Sequence, residues 1–179
     1  VKKLGNAVFT YCSNLKSVVM GDSVEVIGRY ALYDCSSLIS VTIPSSVTSI
    51  GKCAFNDCSS LTRITIPRSV TSIDNDAFYG CISLEEINFN AASLKDLVSD
   101  HYIFYDAGKN GDGIRVRIGR DVERIPDYLF YINSYSSSHS PNIASVEFEK
   151  GSVCKSIGFS AFENCPKLAG INIPNTVEF

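Results

Sequence analysis

With 179 residues, 45% hydrophobic and 20% charged, the chain holds enough apolar side chains for a continuous core. Its net charge of -3 excludes the usual nucleic-acid binder, which clusters Lys and Arg on one face. No apolar run reaches the ~18 residues a membrane helix needs, so no membrane insertion is expected of this segment.

In chain order the apolar letters recur with a period of 23 residues, the range of stacked-repeat architectures. Val1, Leu4, Phe9, Cys12, Leu15 and Val18 open the pattern. Val24, Ile27, Leu32, Cys35, Leu38 and Val41 repeat it, and units from 47 and 70 keep the same register. A fifth unit from 94 loosens the spacing: its strand columns return late, at Val116 and Ile118, after extra length in Asp100 to Gly113. A sixth from 122 has Phe130 in the Phe column and Asn133 in the Cys column, then a Ser-rich loop before Ile143. The seventh, from 154, returns to pattern, and Val177 begins an eighth. All of this reads as one domain spanning 1–179, opening part-way through a unit at Val1 and expected to be a piece of a longer chain.

The unit from Ser46 to Arg68 shows the local logic. Period-2 alternation with β-branched residues predicts a strand over Arg63 to Ile66, with Ile64 and Ile66 facing in. Pro67 cannot donate to a ladder and ends it. Val47 and Ile50 predict a second short buried run, and Gly51 suits a turn needing φ > 0. Ala54, Phe55 and Cys58 predict one tight helical or 3₁₀ turn. A single coil cannot bury its own apolar side, whereas stacked coils bury it continuously.

The columns Leu38-x-x-Val41-x-Ile43-Pro44, Val47-x-x-Ile50-Gly51 and Ala54-Phe55-x-x-Cys58 resemble the leucine-rich repeats of BspA-like bacterial surface antigens, the Treponema pallidum type. Ser46 stands where the general leucine-rich pattern wants Asn or Cys, which is why the subtype fits better. The expected fold is an α/β repeat solenoid of about seven coils of ~23 residues. It would be a right-handed leucine-rich-repeat superhelix with a concave parallel β-sheet and short helical or 3₁₀ turns on the convex side. The resemblance implies a secreted or cell-surface module for binding or adhesion. Any signal or anchor would lie outside this segment, and the oligomeric state stays open.

Seven cysteines invite a staple or a metal site. Five of them, Cys12, Cys35, Cys58, Cys81 and Cys165, share one column, with Cys53 and Cys154 elsewhere. Stacked equivalents sit one strand spacing apart, beyond the ~3.8 Å Cβ separation of a disulfide, and there is no CxxC or Cys/His pairing. They read as small buried thiols. His101 and His139 fall in irregular loops, no nucleophile motif accompanies them, and no catalytic residue, metal or cofactor is expected. Asp106 to Gly113 has a faint calcium-loop look but carries Arg117 where a bidentate Glu would close it.

Two surfaces remain. The outward strand positions concentrate charge in the middle of the chain, making Arg63, Glu86, Asn88, Arg115, Arg117 and Glu147 candidate ligand contacts. The competing reading of these is cross-strand ion pairing alone. Five of nine tyrosines fall in the fifth and sixth units, predicting an exposed aromatic patch near Tyr105, Tyr131 and Tyr135. The implied partner is a protein or glycan, host-derived in an adhesion setting. The alternative is a structural spacer presenting another domain.

Overall fold

The computed structural model describes residues 2–131 and 141–178. In chain order its strands are β1 (Lys3–Leu4), β2 (Ser17–Val19), β3 (Val26–Ile27), β4 (Ser40–Thr42), β5 (Ser49–Ile50), β6 (Arg63–Ile66), β7 (Ser72–Ile73), β8 (Glu86–Phe89), β9 (Ile114–Ile118), β10 (Arg124–Ile125), β11 (Ile143–Phe148) and β12 (Ser156–Ile157). All pairings are parallel, each strand with its equivalent in the next coil. The expected single sheet is therefore two strand series. The longer strands form β2-β4 and β6-β8-β9-β11, and the two-residue strands form β1-β3-β5-β7 and β10-β12. The alternation is as the sequence predicts: Ile64 and Ile66 are buried between exposed Arg63 and Thr65.

The expected helical or 3₁₀ turns are absent among the described residues. Where both positions are described, the coils instead cross this stretch with positive φ at positions four apart, as at Tyr30 and Asp34, and at Cys53 and Asp57. A left-handed residue every fourth position breaks the helical hydrogen-bond pattern and turns alternate N–H groups along the stacking direction. Tyr30, Leu32 and Asp34 accordingly donate to the carbonyls of Lys52, Ala54 and Asn56, and Cys53, Phe55 and Asp57 to those of Asn75, Ala77 and Tyr79. The turn is thus a third ladder between coils, more rewarding than an isolated helical turn because buried backbone groups must find partners. Gly51 serves a different purpose from the one expected. Its φ is not positive; a Cβ there would lie 2.8 Å from the Arg29 backbone nitrogen, so glycine lets neighbouring coils approach.

The interior is one apolar cluster running the length of the stack. Its axis is a column of phenylalanines: Phe55, Phe78, Phe104, Phe130 and Phe162 stack with centroid spacings of 5.1, 5.3, 5.3 and 5.4 Å. Phe104 restores the column within the irregular fifth coil, so part of that aromatic run is core and not surface. Beside it runs the cysteine column. The Cys35, Cys58 and Cys81 thiols each donate to a carbonyl of the preceding coil, from Phe9, Leu32 and Phe55, at 3.1 to 3.3 Å. Burial pushes the Cys35 thiol up to about 11 and raises those of Cys58 and Cys81.

Replacing Phe78, which is fully buried between two rings, by Ala is expected to cost about 3–5 kcal/mol, measured as a shift in the urea unfolding midpoint at unchanged m-value. A disulfide reagent applied at about pH 8 is expected to leave Cys58 and Cys81 unmodified until denaturant is added, because the protonated buried thiol is a poor nucleophile.

Candidate ligand-binding surface

Strand register decides which side chains share a face. Arg63 lies opposite Glu86, Glu86 opposite Arg115, and Arg115 opposite Ser145. In the neighbouring column Thr65, Asn88, Arg117 and Glu147 are aligned the same way. Six of the sequence candidates thus project together from four adjacent strands, while Ile64, Ile87, Val116 and Val146 hold the opposite side in the core.

The charges on this face answer one another in two groups. Arg63 Nε lies 3.2 Å from Glu86 Oε1, which also accepts from Asn88 Nδ2 at 2.9 Å. That carboxylate side chain is only 16% exposed, so the group is rigidly seated. Arg115 and Arg117 share one carboxylate, Glu147, at 4.0 and 3.9 Å, beyond hydrogen-bond distance. Both guanidiniums keep N–H donors turned to solvent. The cross-strand ion pairs weighed from sequence are therefore present, but they saturate only the β6–β8 end of the face.

Two depressions flank it. One of about 440 Å³ lies at the strand starts among Thr62, Arg63, Glu85, Glu86, Asp112 and Arg115. The other, of about 710 Å³, lies past the strand ends among Pro67, Arg68, Asn90, Arg120, Asp121, Glu149 and Lys150. Sequence reading missed this second set. Its signal was the second position after three of the long strands, where Arg68, Arg120 and Lys150 follow β6, β9 and β11. Arg68 reaches across to Asp121, and Arg120 N donates to Glu149 at 3.0 Å. Among the described residues no group of three or more His, Cys, Asp or Glu is placed to hold a metal ion.

The tyrosines do not join this face. Tyr105 and Tyr131 sit in the turn ladder, beyond the buried Phe104 and Phe130, and Tyr135 lies outside the described residues. Both described rings are half-buried. Tyr105 stacks on Tyr79 at 5.0 Å and meets Tyr102 edge-on at 5.8 Å, and Tyr131 meets Tyr128 edge-on at 5.1 Å. Phe159, 68% exposed, extends this second group from the seventh coil.

Two carboxylates off the long-strand face titrate in opposite senses. A hydrogen bond from Arg124 holds Asp96 below the ordinary 3.8, so its contribution to stability is present above that value and is lost as pH falls through the folded value. Asp57 is raised, first by burial and then by Asp34 and Asp106, so its ionisation costs stability as pH rises from 3.8 through its folded value. Denaturant melts between about pH 2 and pH 7 are expected to show Asp96→Asn flattening the acid-side loss and Asp57→Asn gaining stability toward neutrality.

Known proteins share this architecture. A family model described as BspA type leucine rich repeat region matches residues 1–110 and 115–179, with six copies of the repeat. The crystal structure of a leucine-rich-repeat protein of T. pallidum superposes with a TM-score of 0.66 at 26% identity, covering 99% of this chain and 73% of that one. A leucine rich cell surface protein from Faecalibacterium prausnitzii A2-165 is 27% identical over 97% of this chain and 45% of its own, with a TM-score of 0.47. No curated protein matches the chain.

Proposed function

We propose, from the premise that this chain belongs to the BspA-type leucine-rich-repeat family, that it is a non-enzymatic binding module working at the cell surface or after secretion. Its ligand is a protein or glycan, host-derived where the module serves adhesion. The solenoid is taken as one right-handed domain of seven coils, with units from 1, 24, 47, 70, 94, 122 and 154 and the long strands on its concave side. Ligand contacts are Arg63, Glu86, Asn88, Arg115, Arg117 and Glu147 on that face, with Tyr105, Tyr131 and Tyr135 of the irregular coils as a separate contact region.

The observation that carries this reading is the pair Arg115 and Arg117 on β9. Their side chains are 53% and 46% exposed and share a single carboxylate beyond hydrogen-bond distance. A guanidinium offers five donors in a planar fork suited to carboxylates and to paired sugar hydroxyls. Two such forks, spaced two residues apart on a rigid strand, form a recognition element whose geometry is set before any ligand arrives. The rigid Arg63–Glu86–Asn88 group gives the same face a polar rim of fixed shape.

The double variant Arg115→Ser, Arg117→Ser is expected to reduce binding in a screen of immobilised matrix proteins and glycans by about tenfold or more. Its unfolding free energy should stay within about 1 kcal/mol of the parent, as exposed ion pairs contribute little. Unchanged binding in that variant would favour the spacer reading.

A further inference from the structure

The repeat period fails at one place on the short-strand side, between β7 and the fifth coil. From the short strand to the core phenylalanine, Ile50 to Phe55, Ile73 to Phe78 and Ile125 to Phe130 each advance five residues, whereas Leu97 to Phe104 advance seven. The two extra residues let the chain part from β7. Ser72 N donates to Thr48 O at 3.3 Å and Asp74 N to Ile50 O at 2.9 Å. The N–H and C=O of Ile73 between them therefore point the other way, toward the fifth coil. Among the described residues neither has a partner, and the fifth coil gives this edge a single backbone bond, Lys95 N to Thr71 O at 3.2 Å. Leu97 N donates instead to Asp127 O at 3.3 Å, and Asp96 is held by Asp127 N and Arg124 of the sixth coil.

A hollow of about 300 Å³ lies in this gap, with apolar Ile50, Ile73 and Leu97 and polar Asp74, Lys95 and His101 in its lining. Its volume is at the low end of ligand pockets. Ile73 is 3% exposed, and a peptide group so buried is costly to leave unpaired. His101, on the same lining, has a buried Nδ1 with no hydrogen-bond partner. Among the described residues neither Asp74 nor Lys95 has an ion pair. Unmatched donors, acceptors and charges of both signs thus converge where the short-strand ladder is interrupted.

We propose that the hollow receives an extended peptide segment of a partner protein, running antiparallel to β7 with one residue opposite Ile73. In the hydrogen-bonded pair of an antiparallel ladder two residues exchange both N–H···O bonds, which is what Ile73 lacks. A single acetamide, as on an amino sugar, cannot do this, because the N–H and C=O of a trans amide point apart. Strand addition of this kind takes its affinity from the main chain and its specificity from alternate side chains. Ile73 faces the core, so the residue opposite it turns toward the apolar part of the lining. Its two neighbours turn outward, as Ser72 and Asp74 do. In the antiparallel sense the residue before it lies opposite Asp74, and the residue after it lies opposite Ser72, beside Lys95. Basic, apolar, acidic is therefore the complementary order, with opposite charges meeting across the strands. The site is independent of the long-strand face and does not require that face to bind anything.

The test is calorimetric titration of the protein with acetyl-Lys-Leu-Glu-amide. A Kd on the order of 1 mM or tighter is expected, with amide hydrogen exchange at Ile73 slowed in the complex. N-methylation of the leucine removes the donor to the Ile73 carbonyl and is expected to weaken binding about tenfold, as is reversal of the order to acetyl-Glu-Leu-Lys-amide. Asp74→Lys should weaken the first peptide by a similar factor. Arg115→Ser, Arg117→Ser should bind it as the parent does. No detectable binding, equal binding of the N-methylated or reversed peptide, unchanged exchange at Ile73, full binding by Asp74→Lys or loss of binding in the Arg115, Arg117 variant would each overturn the proposal. So would binding of N-acetylglucosamine with none of the peptide.

Discussion

The backbone hydrogen bond from one coil to the next is the constraint on which the rest of this molecule depends. A coil of this length is too small to bury its own backbone or its own apolar side, so its N–H and C=O groups must be met by a copy of itself displaced along the stack. Three ladders do this in the regular coils: the long strands, the short strands and the turn. The first four coils keep one length, and where the fifth and sixth are longer the long strands and the turn still pair with the neighbouring coil. The same constraint places glycine at Gly28 and Gly51, where a Cβ would stand within 3 Å of the preceding coil's backbone.

Side chains then inherit their neighbours from the ladders. Phe55, Phe78, Phe104, Phe130 and Phe162 each stack on an equivalent, and Cys35, Cys58, Cys81 and Cys165 each donate to a carbonyl of the coil before. The left-handed residues of the turn are strained for any side chain but glycine, and to a lesser degree Asn and Asp. Tyr30, Tyr102 and Tyr128 occupy such positions nonetheless. Each makes an edge-to-face pair with the tyrosine three residues on. These contacts offset part of the strain while lining the turn side with aromatic surface.

The same constraint separates the two candidate surfaces. Long strands and turn are separate ladders, and among the described residues the arginines of β9 and the tyrosines of the fifth and sixth coils have no contact in common. The long-strand face is rich in guanidinium groups with donors to spare. The turn side alternates half-buried tyrosine with carboxylates, and one of those carboxylates already holds a lysine.

The 23-residue spacing of Leu, Ile, Phe and Cys was enough to determine the stack, its core columns and the alignment of Arg63 with Glu86, and strand alternation placed Arg115 and Glu147 outward in the longer units. Apolar periodicity reports burial directly, and strand alternation reports which side faces solvent. What it did not determine was the backbone of the turn. The spacing of Ala54, Phe55 and Cys58 suits a helical turn as well as the ladder that forms, because both bury the same side chains. Only the demand of the neighbouring coil for hydrogen bonds selects the left-handed residues. The Asp, Asn and Gly of that column, Asp34, Asp57, Gly80, Asp106 and Asn164, were the trace left in the sequence. The role of Phe104 as core, the unpaired edge of β7 at Ile73 and the single carboxylate shared by Arg115 and Arg117 depended on contacts between coils, which tertiary structure alone decides.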